Sequence, residues 1–268
     1  MTKVESLRLA LSAIAASLVL TSAASAVSTT GRTFISGLGN DANSSSNCPR
    51  NNPCRTLAAA YTVTSAGGEI VALDGAGYGP ITINHSITLL GTDGAAISVS
   101  SGTIGITISA GASDVVIVRN FQITGVGASN TIGISLTAGR LAVFNSTIRN
   151  LTTGLSVTSS KATLIDTDIS FNGTGIVTTG TGVDSTTAPY TGTTWVVLER
   201  GSATFNTTAF FMHDPGNNLL TIFSHYTGSS INTFHVGNTT VMAGDGASCS
   251  GSCTQIGQYY EQVGYTFN

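Results

Sequence analysis

Between residues 68 and 216, hydrophobic and polar residues alternate over many short stretches. In residues 103–108, for example, isoleucine occupies every second position, with glycine or threonine between. A period of two is typical of β-strands, whose successive side chains point to opposite faces. Glycine, asparagine and aspartate interrupt these stretches and indicate turns. The pattern therefore predicts many short strands, each with an aliphatic face and a hydroxyl-bearing face.

These strands belong to an internal repeat. Its copies are Thr103-Ile-Gly-Ile-Thr-Ile, Thr131-Ile-Gly-Ile-Ser-Leu, Thr152-Thr-Gly-Leu-Ser-Val, Gly173-Thr-Gly-Ile-Val-Thr and, more loosely, Thr207-Thr-Ala-Phe-Phe-Met. The glycines at the third position of the first four copies are 28, 21 and 21 residues apart. A second column, Asn120, Asn145 and Asp166, keeps the same register.

A repeat of about 21 residues holds about three strands joined by three tight turns, which is enough for one complete coil of a solenoid. Turns stacked ~4.8 Å apart let every strand pair in parallel with the strands above and below it. We therefore predict an all-β fold, a right-handed parallel β-helix, because parallel crossovers strongly prefer that hand. The asparagine and aspartate column should stack at one corner, where short polar side chains tolerate unusual backbone angles.

The sequence on either side of the repeats predicts caps. Residues 27–67 should form an N-terminal strand, a disulfide loop and a short capping helix over residues 56–61, which we expect Gly67-Gly68 to stop. Residues 217–268 lose the clear period and predict irregular final turns and a C-terminal cap. Residues 180–194 interrupt the repeat and predict a projecting loop.

Residues 1–26 have the features of a cleavable signal peptide. Two basic residues precede an apolar run over residues 9–20, which is too short to span a bilayer, and Ala24-Ser-Ala fits the cleavage pattern. We therefore expect a secreted or periplasmic protein that begins at Val27 and has no transmembrane segment.

Export allows the four cysteines to be interpreted as disulfides. Cys48 lies close to Cys54 in sequence, as Cys249 does to Cys253, so two local bridges are the simplest of three connectivities. Zinc is the alternative for two such pairs. No histidine lies near either pair, and an oxidising compartment favours disulfides, so we expect no metal.

Composition narrows the classes of function. Only 9% of the residues are charged and the net charge is −3, so no basic stripe is present to bind nucleic acid. A mean hydropathy of +0.28 argues against disorder.

Four motifs follow one another near the start of the mature chain. They are Thr33-Phe-Ile-Ser, Gly39-Asn-Asp-Ala-Asn, Pro53-Cys-Arg-Thr and Gly68-Glu-Ile-Val. Together they resemble the opening of exported right-handed parallel β-helix proteins of the pectate-lyase-like superfamily. The resemblance implies the fold, and it implies activity less specifically, because the shared residues build the cap. Members include polysaccharide lyases, epimerases and glycoside hydrolases, and a lyase-like site would bind Ca²⁺ in an acidic cluster beside an Arg or Lys base.

Few titratable residues are candidates for a site. Arg149 and Asp168 should lie on adjacent turns, facing outward, with Lys161 in their vicinity. The three could line a shallow groove that hydrogen-bonds sugar hydroxyls and carboxylates. The alternative is an exposed ion pair that contributes ~0–1 kcal/mol.

Three functions follow as hypotheses. We expect a monomeric β-helix protein without a cofactor that binds polysaccharide or forms part of a cell-surface matrix. The alternative is a lyase or epimerase that acts on an acidic polysaccharide, with Ca²⁺ as cofactor. The outward hydroxyl column Thr107, Ser135 and Ser156 invites comparison with ice-binding solenoids, but Val177 breaks it, so we expect no thermal hysteresis.

Overall fold

The computed structural model describes residues 29–127, 129–179 and 194–213, and the strands that follow residue 217. The described chain contains a 3-10 helix (Asp41–Ser46), the α-helix α1 (Leu57–Tyr61) and short strands throughout. The strands are β1 (Thr30–Ile35), β2 (Thr64–Ala72), β3 (Ile81–Ile83), β4 (Ile87–Leu90), β5 (Ala96–Val99), β6 (Ile104–Ser109), β7 (Val115–Arg119), β8 (Gln122–Gly125), β9 (Ile132–Ala138), β10 (Arg140–Phe144), β11 (Thr147–Arg149), β12 (Thr153–Thr158), β13 (Lys161–Ile165), β14 (Asp168–Ser170), β15 (Thr174–Thr179), β16 (Thr194–Glu199), β17 (Ser202–Thr204), β18 (Thr208–His213), β19 (Asn218–Phe223), β20 (His225–Tyr226), β21 (Ser230–Thr233), β22 (Thr239–Ala243) and β23 (Ser248–Cys249).

Successive turns of the chain distribute their strands over three long sheets. Sheet A has the order β1-β2-β4-β7-β10-β13-β16-β19-β22, sheet B β17-β14-β11-β8-β5, and sheet C β21-β18-β15-β12-β9-β6-β3. Neighbouring strands are parallel in each of them. The predicted parallel β-helix is therefore confirmed.

The core is a stack of aliphatic side chains from inward positions of the three sheets. In sheet A, Val118, Val143, Leu164 and Leu198 lie in register on four successive turns, and none of them is exposed. In sheet B, Ile123, Ile148 and Ile169 form the equivalent column. Full burial of one such side chain contributes ~1.5–3 kcal/mol, so the repeat of aliphatic residues is the main source of stability.

The repeated glycine marks a close approach of successive turns. A Cβ atom on Gly133 would lie 2.5 Å from the carbonyl oxygen of Gly154, and one on Gly154 would lie 2.6 Å from that of Gly175. The strand at this point turns two consecutive residues inward, the glycine and the aliphatic residue after it. Glycine is required there because any side chain would collide with the backbone of the next turn.

The N-terminal motifs hold the helix and its approach. The carboxylate of Asp41 accepts hydrogen bonds from the backbone N–H groups of Arg55 and Thr56, both at 2.8 Å. Thr56 in turn caps α1 by accepting a hydrogen bond from the N–H of Ala59. Cys48 and Cys54 form the predicted disulfide and are fully buried.

The prediction that Gly67-Gly68 stops the helix is wrong. Helix α1 ends at Tyr61, and both glycines lie inside strand β2. Gly67 has a φ of +77°, and the register of β1 against β2 shifts between Thr30 and Arg32. The glycines therefore form an irregularity in the strand, where the left-handed backbone favours a residue without a side chain.

Several expectations concern residues outside the described part of the chain. These are the signal peptide over residues 1–26, most of the predicted loop at 180–194, and Cys253, which we expect to form a disulfide with Cys249. Beyond residue 217, β19 and β22 extend sheet A, β21 extends sheet C, and β20 pairs with β23 in a separate parallel sheet. No helix among the described residues has the length and apolar character needed to cross a membrane.

Candidate functional site

Sheet B presents a narrow polar surface between two corners of the solenoid. We call its outward residues the sheet B face. They are Gln122 and Thr124 on β8, Thr147 and Arg149 on β11, Asp168 and Ser170 on β14, and Ser202 and Thr204 on β17. Ser170 is only 3% exposed, so it belongs to this set by its position on the strand alone. Amide, hydroxyl and charged groups alternate here with the buried isoleucine column, so the strand period itself produces the surface.

Two of the predicted site residues, Arg149 and Asp168, lie on this face. Arg149 on β11 is exposed, and β11 pairs with β14, which carries Asp168. The two lie on adjacent turns as predicted, but no ion pair joins them within the described chain. The Asp168 carboxylate instead accepts hydrogen bonds from the hydroxyls of Ser170, at 2.5 Å, and Ser202.

Lys161 lies elsewhere. It begins strand β13 in sheet A, in register with Arg140 of the preceding turn. A small groove of about 220 Å³ at that corner is lined by Arg140, Ser160 and Lys161, among others. The structure thus brings Arg149 and Asp168 together on one sheet and places Lys161 on another.

The corner between sheets A and B carries the predicted polar column Asn120, Asn145 and Asp166, and Arg200 continues it on the next turn. We call these four residues the amide corner. All four residues have a positive φ, between 45° and 58°. The Asn145 amide donates a hydrogen bond to Oδ1 of Asn120 at 2.8 Å. Arg200 donates to both oxygens of Asp166, at 2.9 and 3.0 Å, and this contact lowers the pKa of the Asp166 carboxyl.

A groove of about 410 Å³ runs beside the amide corner. It is lined by amide and hydroxyl side chains that include Asn120, Gln122, Asn145 and Thr147, and by one acidic residue, Asp93. The Oγ1 atom of Thr147 is buried without a hydrogen-bond partner. This groove opens onto the sheet B face and offers mainly neutral hydrogen-bonding groups.

The opposite corner, between sheets B and C, contains a feature that the sequence analysis missed. Gly125, Asn150, Phe171 and Phe205 occupy equivalent positions on successive turns, and we call this column the phenylalanine corner. Phe171 and Phe205 have φ values of 58° and 55°. Their side chains are 56% and 63% exposed. The rings stack on each other, with centroids 5.1 Å apart and planes 8° from parallel.

The residue after each phenylalanine is a buried asparagine. Asn172 and Asn206 are each only 3% exposed. The Asn172 side chain accepts from the N–H of Leu151 at 3.1 Å and donates to the carbonyl of Ile148 at 3.1 Å. Asn206 donates to the carbonyl of Ile169 at 2.9 Å. The repeated Phe-Asn dipeptide, at residues 171–172 and 205–206, was the available sequence signal.

An open groove of about 610 Å³ lies against the phenylalanine corner. Among the residues that line it are Gly125, Asn150, Thr152 and Phe171, and none of its lining residues is charged. Arg149 precedes Asn150 in the chain but does not line this groove. The sheet B face is therefore bordered by amide groups on one side and aromatic rings on the other.

The hydroxyl column compared with ice-binding solenoids has the predicted register. Thr107, Ser135 and Ser156 are partners on successive strands of sheet C, and Val177 follows Ser156. Thr82 on β3 pairs with Thr107, so the column contains four hydroxyls before the valine. Within the described residues, no group of three or more His, Cys, Asp and Glu side chains is placed to hold a metal ion.

Comparison with known proteins supports the fold. No protein-family model and no curated protein matches the chain. A solved structure described as the crystal structure of pectate lyase Pel9A superposes with a TM-score of 0.51 at 14% sequence identity, covering 86% of this chain and 79% of that chain. At a sequence identity this low, the similarity is evidence for a shared fold and not for a shared activity. The chain therefore has a pectate-lyase-like β-helix fold, as the N-terminal motifs predicted.

Proposed function

We propose that this protein is exported and binds polysaccharide through the sheet B face and its two corners. The observation that carries the proposal is the exposed, stacked Phe171–Phe205 pair at the edge of a hydroxyl- and amide-lined surface. Sugar rings combine an apolar C–H face with equatorial hydroxyls. A site that places aromatic rings beside hydrogen-bonding side chains matches both properties.

The sheet B face supplies the polar contacts in this proposal. Arg149 offers five N–H donors, and the Asp168 carboxylate is held in place by two serine hydroxyls. A carboxylate oriented by hydroxyl donors can accept a further hydrogen bond from a sugar hydroxyl. Lys161 contributes from the corner between sheets C and A only if a long glycan wraps the solenoid.

Catalysis by a lyase or epimerase is the alternative that the fold keeps open. Such chemistry needs a base and acidic groups that converge on one substrate position. On the described residues, Arg149 and Asp168 share one sheet while Lys161 lies on another, so the surface supports binding better than proton abstraction. Export is supported by the buried Cys48–Cys54 disulfide, since such bonds persist in oxidising compartments.

Binding is tested with the mature protein in affinity electrophoresis against gels that contain neutral or acidic polysaccharides. We expect retardation in at least one gel, and weaker retardation for Arg149→Ala and Asp168→Ala. Arg140→Ala, an exposed arginine of sheet A, is the matched control and should behave as the wild type. Unchanged migration of the wild type in every gel would reject the proposal.

The same preparation distinguishes binding from lyase activity. Ultraviolet absorbance reports the unsaturated sugars that a lyase releases from an acidic polysaccharide, and we expect no increase with or without added Ca²⁺. Strong Ca²⁺-dependent release would replace the binding proposal with the enzyme alternative.

Export has its own test. N-terminal sequencing of the exported protein should show a chain that begins at Val27.

A further inference from the structure

We infer that the Phe171–Phe205 pair is a stacking platform for an uncharged glycan, an inference that rests on the proposed polysaccharide binding. It specifies the ligand class and the residues that bind it.

The backbone at this corner is unfavourable for phenylalanine. A left-handed conformation costs an L-residue roughly 1–2 kcal/mol, and glycine and asparagine avoid most of this cost. On the preceding turn Asn150 adopts this conformation with a φ of 59°, while the next two turns carry Phe171 and Phe205, with φ values of 58° and 55°. Strained residues of this kind concentrate at functional sites.

Burial is also reversed at these positions. On the turn before, Asn150 is exposed and Leu151 is buried, as the hydrophobic effect favours. On the next turn Phe171 is exposed and Asn172 is buried. Exchanging those two residues would restore the ordinary pattern, so neither core packing nor turn conformation accounts for an outward phenylalanine. A ligand that covers the rings does account for it.

The groove beside the rings determines the class of ligand. It is lined by glycine, asparagine, threonine, leucine and phenylalanine, and it carries no charge. An acidic glycan would lose hydration of its carboxylates there without gaining a cationic partner. A neutral glycan would place a C–H face on an aromatic ring and its hydroxyls against Asn150 and Thr152. The groove is therefore complementary to an uncharged sugar chain.

A second copy of the chain is a weaker candidate for this surface. Among the described residues, Phe171, Phe205 and Val126 are the large exposed hydrophobic side chains at this corner. A stable protein interface covers roughly 800 Å² per partner, which three side chains cannot provide. The two rings lie 5.1 Å apart on adjacent turns and cover one face of each other. The other face of Phe171 is directed toward Asn150 and the open groove.

The test compares Phe171→Asn and Phe205→Asn with the wild type by titration with soluble neutral glucan, neutral mannan and polygalacturonate. Asparagine occupies the equivalent position as Asn150, on the turn before Phe171, with a φ of 59°, so the variants retain a residue suited to the backbone. Leu38→Asn is the control, because Leu38 is 97% exposed and lies near the N-terminal end of the solenoid. Melting curves verify that each variant is folded.

We expect the wild type to bind a neutral polysaccharide, and each phenylalanine variant to bind it about 3- to 10-fold more weakly. Leu38→Asn should be unchanged, and 0.5 M salt should have little effect because the glycan carries no charge. Binding of polygalacturonate alone, unaffected by Phe171→Asn, would overturn the inference and leave the proposed function intact. Failure to bind any polysaccharide would overturn both. A dimer that Phe171→Asn dissociates would instead assign the rings to a subunit contact.

Discussion

The side-chain amide of Asn172 donates a hydrogen bond to Oδ1 of Asn206 at 3.0 Å, inside the solenoid. The same oxygen accepts the backbone N–H of Asn172 at 2.9 Å. The two asparagines therefore join successive turns directly beneath the exposed phenylalanines. A hydrogen-bonded ladder takes the place of the aliphatic packing that Leu151 provides on the turn before.

We predict that Asn172→Leu destabilises the protein, although leucine is the residue of the preceding turn. The N–H of Leu151 would lose its acceptor while it remains buried, which costs about 1–3 kcal/mol. Denaturant unfolding of Asn172→Leu, Asn206→Leu and the double variant measures the effect. Because the two side chains share hydrogen bonds, the double variant should lose less stability than the sum of the single variants. Additive losses would show that the ladder is not coupled.

The ladder shows what the sequence pattern could and could not predict. A period of two, a repeat of 21 residues and the column Asn120, Asn145 and Asp166 predicted the solenoid and its amide corner, because each position has the same environment on every turn. The exposed Phe171 and buried Asn172 reverse the relation between hydrophobicity and burial. A pattern that assigns apolar residues to the interior therefore places both on the wrong side.

The candidate site was predicted only in part for a related reason. Arg149 and Asp168 occupy the same third of the repeat, so alignment placed them on one sheet. Lys161 belongs to a different third, and proximity in sequence brings it no closer to that sheet. Within a solenoid, residues at equivalent positions of successive repeats are neighbours. Residues a few positions apart along one turn can instead lie on different sheets.

We predict that Gly154→Ala is strongly destabilising. The new Cβ would lie 2.6 Å from the carbonyl oxygen of Gly175 and 3.0 Å from Cγ2 of Ile169, so adjacent turns would have to separate. Overpacking of this kind costs ~1–3 kcal/mol. Gly31→Ala is the matched control, since no atom lies within 4 Å of its Cβ position. Thermal melts should show a large decrease for Gly154→Ala and little change for Gly31→Ala; equal melting temperatures would contradict the role of the glycine column.

We predict that Asp74 contributes stability that is lost in acid. The hydroxyl of Ser36 donates to its carboxylate at 2.5 Å and that of Tyr78 at 2.6 Å, and these contacts lower the pKa of Asp74. Burial and the neighbouring carboxylate raise the pKa of Tyr78, so its hydroxyl remains a donor. Because the folded pKa lies below the unfolded one, the stabilisation is present above the ordinary value of about 3.9 and disappears as pH falls through the folded pKa.

Asp74→Asn should therefore melt below the wild type at neutral pH, and the difference should narrow as the pH falls below about 3.9. Asp93→Asn is the control, because Asp93 is an exposed carboxylate on a nearby turn. Melting temperatures recorded from pH 7 to pH 2 check both variants. A difference that is the same at every pH would assign the effect to packing rather than to the charge.

We predict that the Cys48–Cys54 disulfide stabilises the N-terminal end without being required for the solenoid. The carbonyl of Cys48 accepts from the N–H of Phe34 at 2.9 Å, and the N–H of Cys54 donates to the carbonyl of Phe34 at 3.0 Å, so the bridge fixes strand β1. A loop this short constrains little chain, and its loss should cost about 2.4 kcal/mol. The double variant Cys48→Ser/Cys54→Ser should therefore fold with unchanged far-ultraviolet circular dichroism and a lower melting temperature. Hydrogen exchange should increase in β1 and β2 while the strands of sheet B stay protected, whereas uniform loss of protection would show that the bridge holds the whole solenoid together.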